Sequence, residues 1–175
     1  SQNFDQYCKV AGFDAYYGKN EYEGPEAFDG RWGIFDEEFL QYFSGKLTQF
    51  KQPFFTTLFT ISSHNPYIIP EKYKGKFPKG TTKIQETIAY SDFALKRFFE
   101  TASKQEWYKN TLFVIVADHT SSEPTEAKFK TNVGKFRIPI LFFDPSKPEM
   151  VGKNMKNLQQ IDVMPSVLDY LNIDT

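Results

Sequence analysis

The chain has 175 residues, of which 40% are apolar and 18% aromatic, with 19 Phe and 10 Tyr. This length and this apolar content are enough for one domain with a packed core, and they exclude an intrinsically disordered chain. The formal net charge is −1 and the basic residues are scattered, which argues against a nucleic-acid partner. The single cysteine, Cys8, excludes an internal disulfide and a zinc-finger cluster.

The first third of the chain predicts loops followed by a helix and a strand. Residues 1–30 are rich in Gly, Tyr, Asp and Glu, which favours loops and short turns. Apolar residues at helical spacing predict a helix over residues 36–50, with Asp36 as its N-cap. The β-branched and aromatic run at residues 53–61 predicts a buried strand, and His64 lies in the loop that follows it.

The remaining elements alternate between helix and strand. An apolar stripe predicts a helix over residues 84–100, and a continuous apolar run predicts a parallel strand at residues 111–117, buried on both faces. A further strand is expected at residues 138–143 and a last helix from Asp162, which we interpret as its cap. This order predicts an α/β sandwich with a mostly parallel sheet, in which ligands bind beyond the carboxyl ends of the strands.

Both histidines of the chain directly follow predicted strands. Asp118 and His119 offer a carboxylate and an imidazole, an oxygen and nitrogen pair that suits Mn²⁺, Zn²⁺ or Mg²⁺. The alternative is that Asp118 is a loop or cap residue and His119 a hydrogen-bonded surface group. His64 can donate a hydrogen bond to an anionic oxygen or serve as an acid or base, or it is simply a solvated loop residue.

Two further groups precede the first predicted helix. Arg31 can bind a phosphate or sulfate with its planar guanidinium, and Trp32 either stacks on a substrate or fills the core, core packing being the better default. A Ser-His-Asp hydrolase built from Ser62 or Ser63, with His64 and Asp118, is also conceivable. We set it aside because the sequence contains no Gly-x-Ser-x-Gly motif.

Several motifs together resemble one family. In the same order and with similar spacing, they are similar to segments of lipoteichoic-acid synthases, a branch of the sulfatase and alkaline-phosphatase superfamily. The matching segments are residues 32–37, 54–67, 89–95, 110–119, 137–143 and 160–168. Each motif alone is loose, and their order over residues 30–173 carries the resemblance.

The resemblance implies a fold, a metal site and a substrate site. The fold is the alkaline-phosphatase-like three-layer α/β sandwich. Asp118 and His119 match two metal ligands, and His64 matches the histidine that contacts the phosphate or sulfate of the substrate, with Arg31 and Trp32 as further substrate contacts. Two-metal members carry a histidine where this chain has Gln160, which favours a single divalent ion. We expect Mn²⁺, with Mg²⁺, Ca²⁺ and Zn²⁺ as alternatives.

The resemblance also implies that residues 1–175 are the C-terminal part of a catalytic domain. The family's nucleophile, a Thr or a modified Cys or Ser, lies upstream of the matched stretch, so the catalytic nucleophile is unknown and the piece alone is expected to be inactive. The implied activity is transfer or hydrolysis of a phosphoglycerol or phosphoethanolamine group on a lipid or glycan, outside the cytoplasm, with any membrane anchor upstream. A sulfatase and a non-catalytic binding module are the alternatives.

Overall fold

The computed structural model describes residues 3–174, and the predicted domain of residues 1–175 extends beyond them at both ends. Four α-helices and two β-strands are present in this part of the chain, joined by loops with short 3₁₀ turns. The helices are α1 (Phe4–Val10), α2 (Asp36–Leu47), α3 (Ile84–Ala102) and α4 (Val163–Tyr170), and the strands are β1 (Phe113–Val116) and β2 (Ile140–Phe143).

The core lies between α2 and α3. The buried positions of α3 recur every three or four residues, which places Ala94, Phe98 and Ala102 on one stripe facing α2. From α2, Leu40 and Leu47 pack into this stripe. Since each of these five side chains is at most 4% exposed, the contact between α2 and α3 is the packed core of the described chain.

The two strands pair antiparallel, with Phe113 opposite Phe143 and Val116 opposite Ile140. The α/β class is confirmed, but the prediction that residues 111–117 form a parallel strand buried on both faces is wrong, because β1 pairs antiparallel and Val116 is 41% exposed. A parallel pair needs a crossover connection, usually a helix, whereas residues 117–139 contain only two short 3₁₀ turns. One face of the pair packs on α3 through Phe99, whose ring centroid lies 5.2 Å from that of Phe113.

The predicted strand at residues 53–61 is extended but forms no ladder. Its side chains alternate, since Phe54 and Leu58 pack against the core while Phe55 and Phe59 are 77% and 59% exposed. Within residues 3–174, no backbone group of residues 54–60 has a backbone hydrogen-bond partner. The assignment as a strand is therefore wrong for this part of the chain, because a strand needs a neighbour and none is described beside it.

The helices also differ from the sequence-based expectations in their number, their ends and their caps. Residues 4–10 form α1 instead of a loop, and α2 ends at Leu47 and not at residue 50. Asp36 is the first residue of α2, and its side chain bonds to residues outside the helix instead of capping it. Asp162 is the N-cap residue of α4, as predicted, but its carboxylate makes no cap bond to α4 and accepts from Gln159 N, just before the 3₁₀ turn Gln160–Asp162.

The described residues contain no candidate for a membrane-spanning helix. None of the helices between residues 3 and 174 combines the length and the apolar character that crossing a membrane requires.

Candidate functional site

His64 lies in a compact turn between the extended segment and the loop that leads to α3. Its backbone N–H donates to the carbonyl of Ile61 (3.0 Å), and its own carbonyl accepts from Tyr67 N (2.9 Å). Tyr67 has a positive φ of 63°, which turns the chain sharply after the cis proline Pro66. The turn presents the His64 side chain at the surface.

Trp32 lies directly against His64. The centroid of its ring is 4.6 Å from that of the imidazole, with an edge-to-face angle of 65°. The indole Nε1–H donates to the carbonyl of Asn65 (2.8 Å), and the Nδ1 atom of His64 lies 2.8 Å from the same oxygen. With 43% of its surface exposed, Trp32 is part of this surface cluster and does not fill the core.

A tight turn at residues 29–33 holds Trp32 and Arg31 in place. The Oδ1 atom of Asp29 accepts from the backbone N–H groups of Arg31 (2.8 Å), Trp32 (2.7 Å) and Gly33 (3.1 Å). Gly30 has a φ of +86°, a conformation that favours glycine. The Arg31 guanidinium makes no ion pair within residues 3–174, so it is available to an anion.

Asp118 and His119 follow the end of β1, as predicted. The Nε2 atom of His119 lies 3.5 Å from the Oδ2 atom of Asp118, and both side chains are more than half exposed. The Nδ1 atom of His119 lies 2.7 Å from the carbonyl of Thr120, which only accepts hydrogen bonds and therefore holds the proton on Nδ1. Nε2 is then the ring nitrogen that faces the carboxylate.

The side chains of Asp118 and His119 are suitable ligands for a divalent metal ion, but they supply only two ligand atoms. An imidazole nitrogen and a carboxylate oxygen are suitable ligands for Mn²⁺ or Zn²⁺. Among the described residues, no cluster of three or more His, Cys, Asp or Glu side chains could complete a site. Asp118 and His119 would therefore hold an ion only together with ligands from elsewhere.

Gln160 supports the same strand end from the beginning of the last helical segment. Its Nε2 group donates to the carbonyls of Ala117 (3.0 Å) and Asp118 (2.9 Å). Gln160 is thus bound to the backbone that carries the Asp118–His119 pair.

A cavity of about 460 Å³ opens beside His119. Its wall combines hydroxyl groups, two ammonium groups and two aromatic rings, a mixture that favours an anionic ligand with polar and apolar parts. The lining includes Ser121, Ser122, Lys130, Lys135, Phe129 and Phe136.

The predicted site residues form two clusters. Trp32 and His64 are in contact, with Arg31 next to Trp32 in the chain, and Asp118 and His119 form the second cluster. No hydrogen bond joins the two clusters within the described residues.

Sequence reasoning missed the role of Asp36, whose buried carboxylate binds the backbone before His64. Its only signal was an acidic residue next to a predicted helix start, which also fits an N-cap.

Comparison with known proteins shows the class of protein to which the chain belongs. The family model described as Sulfatase matches residues 1–173, and the chain belongs to this family. A crystal structure of a protein in the alkaline phosphatase superfamily from Vibrio parahaemolyticus superimposes on the whole chain with a TM-score of 0.80 and 28% identity. The predicted superfamily and fold class are confirmed.

Curated relatives narrow the similarity to one branch. The chain is 30% identical to lipoteichoic acid synthase 1 of Bacillus subtilis (strain 168) and 27% identical to the lipoteichoic acid synthase of Staphylococcus aureus (strain NCTC 8325 / PS 47), in each case over 99% of its length. It spans 29% of the length of each of these relatives and 43% of the Vibrio chain. The resemblance to the lipoteichoic-acid-synthase branch is therefore confirmed for the stretch that matches.

Proposed function

We propose that this chain is part of a metal-dependent enzyme that transfers or hydrolyses a phosphoglycerol or phosphoethanolamine group on a lipid or glycan. The observation that carries the proposal is the open Asp118–His119 pair at the end of β1. It stands in a chain that resembles lipoteichoic acid synthases from end to end. The nucleophile would come from a part of the enzyme outside this chain, in line with the greater length of these relatives.

The first role we assign is substrate binding by the cluster around His64. The Nδ1 atom of His64 bonds to the Asn65 carbonyl, so Nε2 is the nitrogen that faces a substrate, and in the protonated ring its N–H can donate to an anionic oxygen. The unpaired guanidinium of Arg31 can bind the non-bridging oxygens of a phosphate diester in a bidentate manner. Trp32 packs against the His64 ring and holds the turn of His64 through the Asn65 carbonyl.

The second role is metal binding by Asp118 and His119, with Mn²⁺ as the ion that we expect and Mg²⁺, Ca²⁺ or Zn²⁺ as alternatives. Once bound, such an ion supplies Lewis-acid stabilisation of charge on the phosphoryl group. The chain's own contribution is to keep the Asp118 carboxylate exposed to solvent and to hold the His119 ring through the contact of Nδ1 with the Thr120 carbonyl. With two ligands, this chain alone should bind the ion weakly and be inactive.

The proposed place of action is the extracytoplasmic face of the cell membrane. This part of the proposal is supported by the similarity to lipoteichoic acid synthases and assigns any membrane anchor to residues outside the chain. The proposed substrate is an anionic phosphate-bearing molecule, and sulfate esters are the alternative within the family.

The test uses a longer polypeptide that includes this chain and has the length of the relatives. It is assayed on a nitrophenyl phosphodiester and on a nitrophenyl sulfate, with and without Mn²⁺. We expect Mn²⁺-dependent cleavage of the phosphodiester, which Asp118→Ala lowers by on the order of 100-fold or more because a metal ligand is lost. The matched control is Asp92→Ala, an exposed carboxylate on α3 that should retain full activity.

Three other outcomes would contradict the proposal. Cleavage of the sulfate alone would identify a sulfatase. Activity that is equal in Asp118→Ala and the parent would remove the metal role of Asp118. No activity on either compound, together with no Mn²⁺ binding in calorimetry, would leave a non-catalytic binding module.

A further inference from the structure

The most deeply buried charged side chain of α2 lies below the His64 turn. Asp36 is 2% exposed, and no cation pairs with it among residues 3–174. A buried carboxylate is costly unless hydrogen-bond donors satisfy its oxygens. Asp36 therefore has to be explained by its hydrogen bonds.

Those bonds lead to the chain that carries His64. The Oδ1 atom of Asp36 accepts from the backbone N–H groups of Ile61 (2.9 Å) and Ser62 (3.0 Å). The Ser62 hydroxyl in turn accepts from Asp36 N (3.0 Å), so the two residues bind each other reciprocally. The Oδ2 atom accepts from Ser91 Oγ on α3 (2.7 Å), which ties the carboxylate to the second helix of the core.

Further hydrogen bonds connect the residues bound to Asp36 with the turn that carries the His64 imidazole. His64 is two residues after Ser62, and its N–H is bonded to the carbonyl of Ile61, the residue that Asp36 also holds. At the far side of the turn, Asn65 O is held by the indole of Trp32. The turn is thus fixed at both ends by the segment of residues 29–36, through Asp36 at one end and Trp32 at the other.

A direct role for Asp36 in metal or substrate binding does not fit this geometry. Both carboxylate oxygens are engaged by donors, and the group is shielded from solvent. A role in helix capping does not fit either, because its side chain makes no bond to the N–H groups of α2. The remaining role for Asp36 is to orient the turn that carries His64.

We propose that Asp36 is the positioning residue of the His64 turn, which holds the imidazole with Nε2 directed to the anionic oxygen of the substrate. This inference rests on the proposed function in so far as His64 contacts the substrate. The state of the imidazole itself, however, is a property of this chain and is measurable without substrate.

The experiment is ¹⁵N NMR of the histidine rings in this chain. There are two histidines, so a His119→Gln variant assigns the signals. We expect the His64 ring in the parent to be the Nδ1–H tautomer with one sharp set of signals. Asp36→Ala should give a mixture of tautomers or broadened signals, together with faster exchange of the Ile61 and Ser62 amide protons. Asp36→Asn keeps an acceptor oxygen of the same shape and should restore the parent pattern.

The control for a merely structural effect is Leu40→Ala, which removes a core side chain from the same helix without touching the turn. It should lower the unfolding midpoint and leave the His64 signals unchanged. Should Asp36→Ala fail to fold, Ser62→Ala removes the reciprocal bond and should change the His64 signals in the same direction. An unchanged His64 tautomer and unchanged exchange in the folded Asp36 or Ser62 variant would overturn the inference.

A kinetic arm separates this inference from the proposed function. In the longer polypeptide, Asp36→Ala should lower kcat/KM by on the order of 100-fold, since a small misplacement of a substrate contact has effects of that size. Asp36→Asn should lie within a few-fold of the parent. If His64→Ala retains full activity while Asp36→Ala alters the ring signals, the substrate role of His64 is wrong and the positioning role stands.

Discussion

At the scale of single residues, carbonyl oxygens decide what the two histidines can do. His64 and His119 each have Nδ1 within 2.8 Å of a backbone carbonyl, that of Asn65 and that of Thr120. Because a carbonyl only accepts, Nδ1 is the nitrogen that donates in each ring, and Nε2 is left for other partners. In the proposed function, Nε2–H of the protonated His64 ring donates to an anion, whereas Nε2 of His119 offers its lone pair to a metal ion.

Gln160 provides a prediction at this scale. We expect Gln160→Ala in the longer polypeptide to weaken Mn²⁺ binding by roughly 10-fold, because it removes the two bonds that hold the backbone of Ala117 and Asp118. Isothermal titration calorimetry measures the effect directly. Gln49→Ala, at an exposed glutamine remote from the strand end, is the matched control and should bind as the parent does. Equal affinities in both variants would show that Gln160 does not support the metal pair.

At the scale of elements, the contact between α2 and α3 contains a buried polar layer as well as an apolar core. Tyr90 is fully buried, and its hydroxyl accepts from Glu37 N (3.2 Å). Lys72 forms ion pairs with Glu37 (3.0 Å) and Glu38 (2.6 Å) at the edge of this layer. The layer connects the loop before α3 to the start of α2, next to Asp36.

This layer predicts sensitivity to alkali. Burial raises the pKa of Tyr90 above its ordinary value of 10.0. Burial lowers the pKa of Lys72, but hydrogen bonds to Glu38 and Glu37 outweigh it and raise the pKa above 10.5. In both cases folding favours the protonated form, so the stabilisation is complete below about pH 10 and is lost as the pH rises above the unfolded-state values.

The measurement is the urea midpoint of the chain between pH 8 and pH 12. We expect it to fall above about pH 10, and Tyr90→Phe should show a shallower fall, since one group no longer titrates. Tyr7→Phe replaces an exposed tyrosine and should follow the parent curve. A Tyr90→Phe curve as steep as that of the parent would exclude Tyr90 as a source of the pH dependence.

At the scale of the whole molecule, the extended segment at residues 54–60 is the feature that the described chain leaves unpaired. Its inner side chains reach the core while Phe55 and Phe59 face outward. Such alternation is typical of a strand in a β-sheet, because successive side chains of a strand point to opposite faces. Across residues 3–174 its backbone has no partner, although the fold is that of a larger α/β superfamily.

Hydrogen exchange tests this interpretation. In this chain alone, the amide protons of residues 54–60 should exchange nearly as fast as in an unfolded peptide, because none donates to another backbone group. In a longer polypeptide of the relatives' length, we expect the same amides to become strongly protected by strand pairing. The amides of α3 serve as an internal reference and should be protected in both. Slow exchange at residues 54–60 in this chain alone would contradict the interpretation.

The features that depend on local sequence could be predicted well. The apolar spacing of α2 and α3, the apolar runs of β1 and β2, and the position of Asp118 and His119 after a strand all follow from residues close together in the chain. The order of the motifs was enough to predict the superfamily, which the comparisons confirm. The sequence by itself thus determined the helices α2 and α3, the strands β1 and β2, the class of the fold and the candidate ligands.

The tertiary structure decided which elements pair and which side chains meet. The antiparallel pairing of β1 with β2 and the unpaired state of residues 54–60 depend on partners far away in the chain, and periodicity carries no information about partners. The contact of Trp32 with His64 and the bonds of Asp36 to Ile61 and Ser62 join segments about 25 to 32 residues apart. An acidic residue at a helix start has the same local pattern whether it caps that helix or holds a distant turn, so only the folded chain distinguishes the two roles of Asp36.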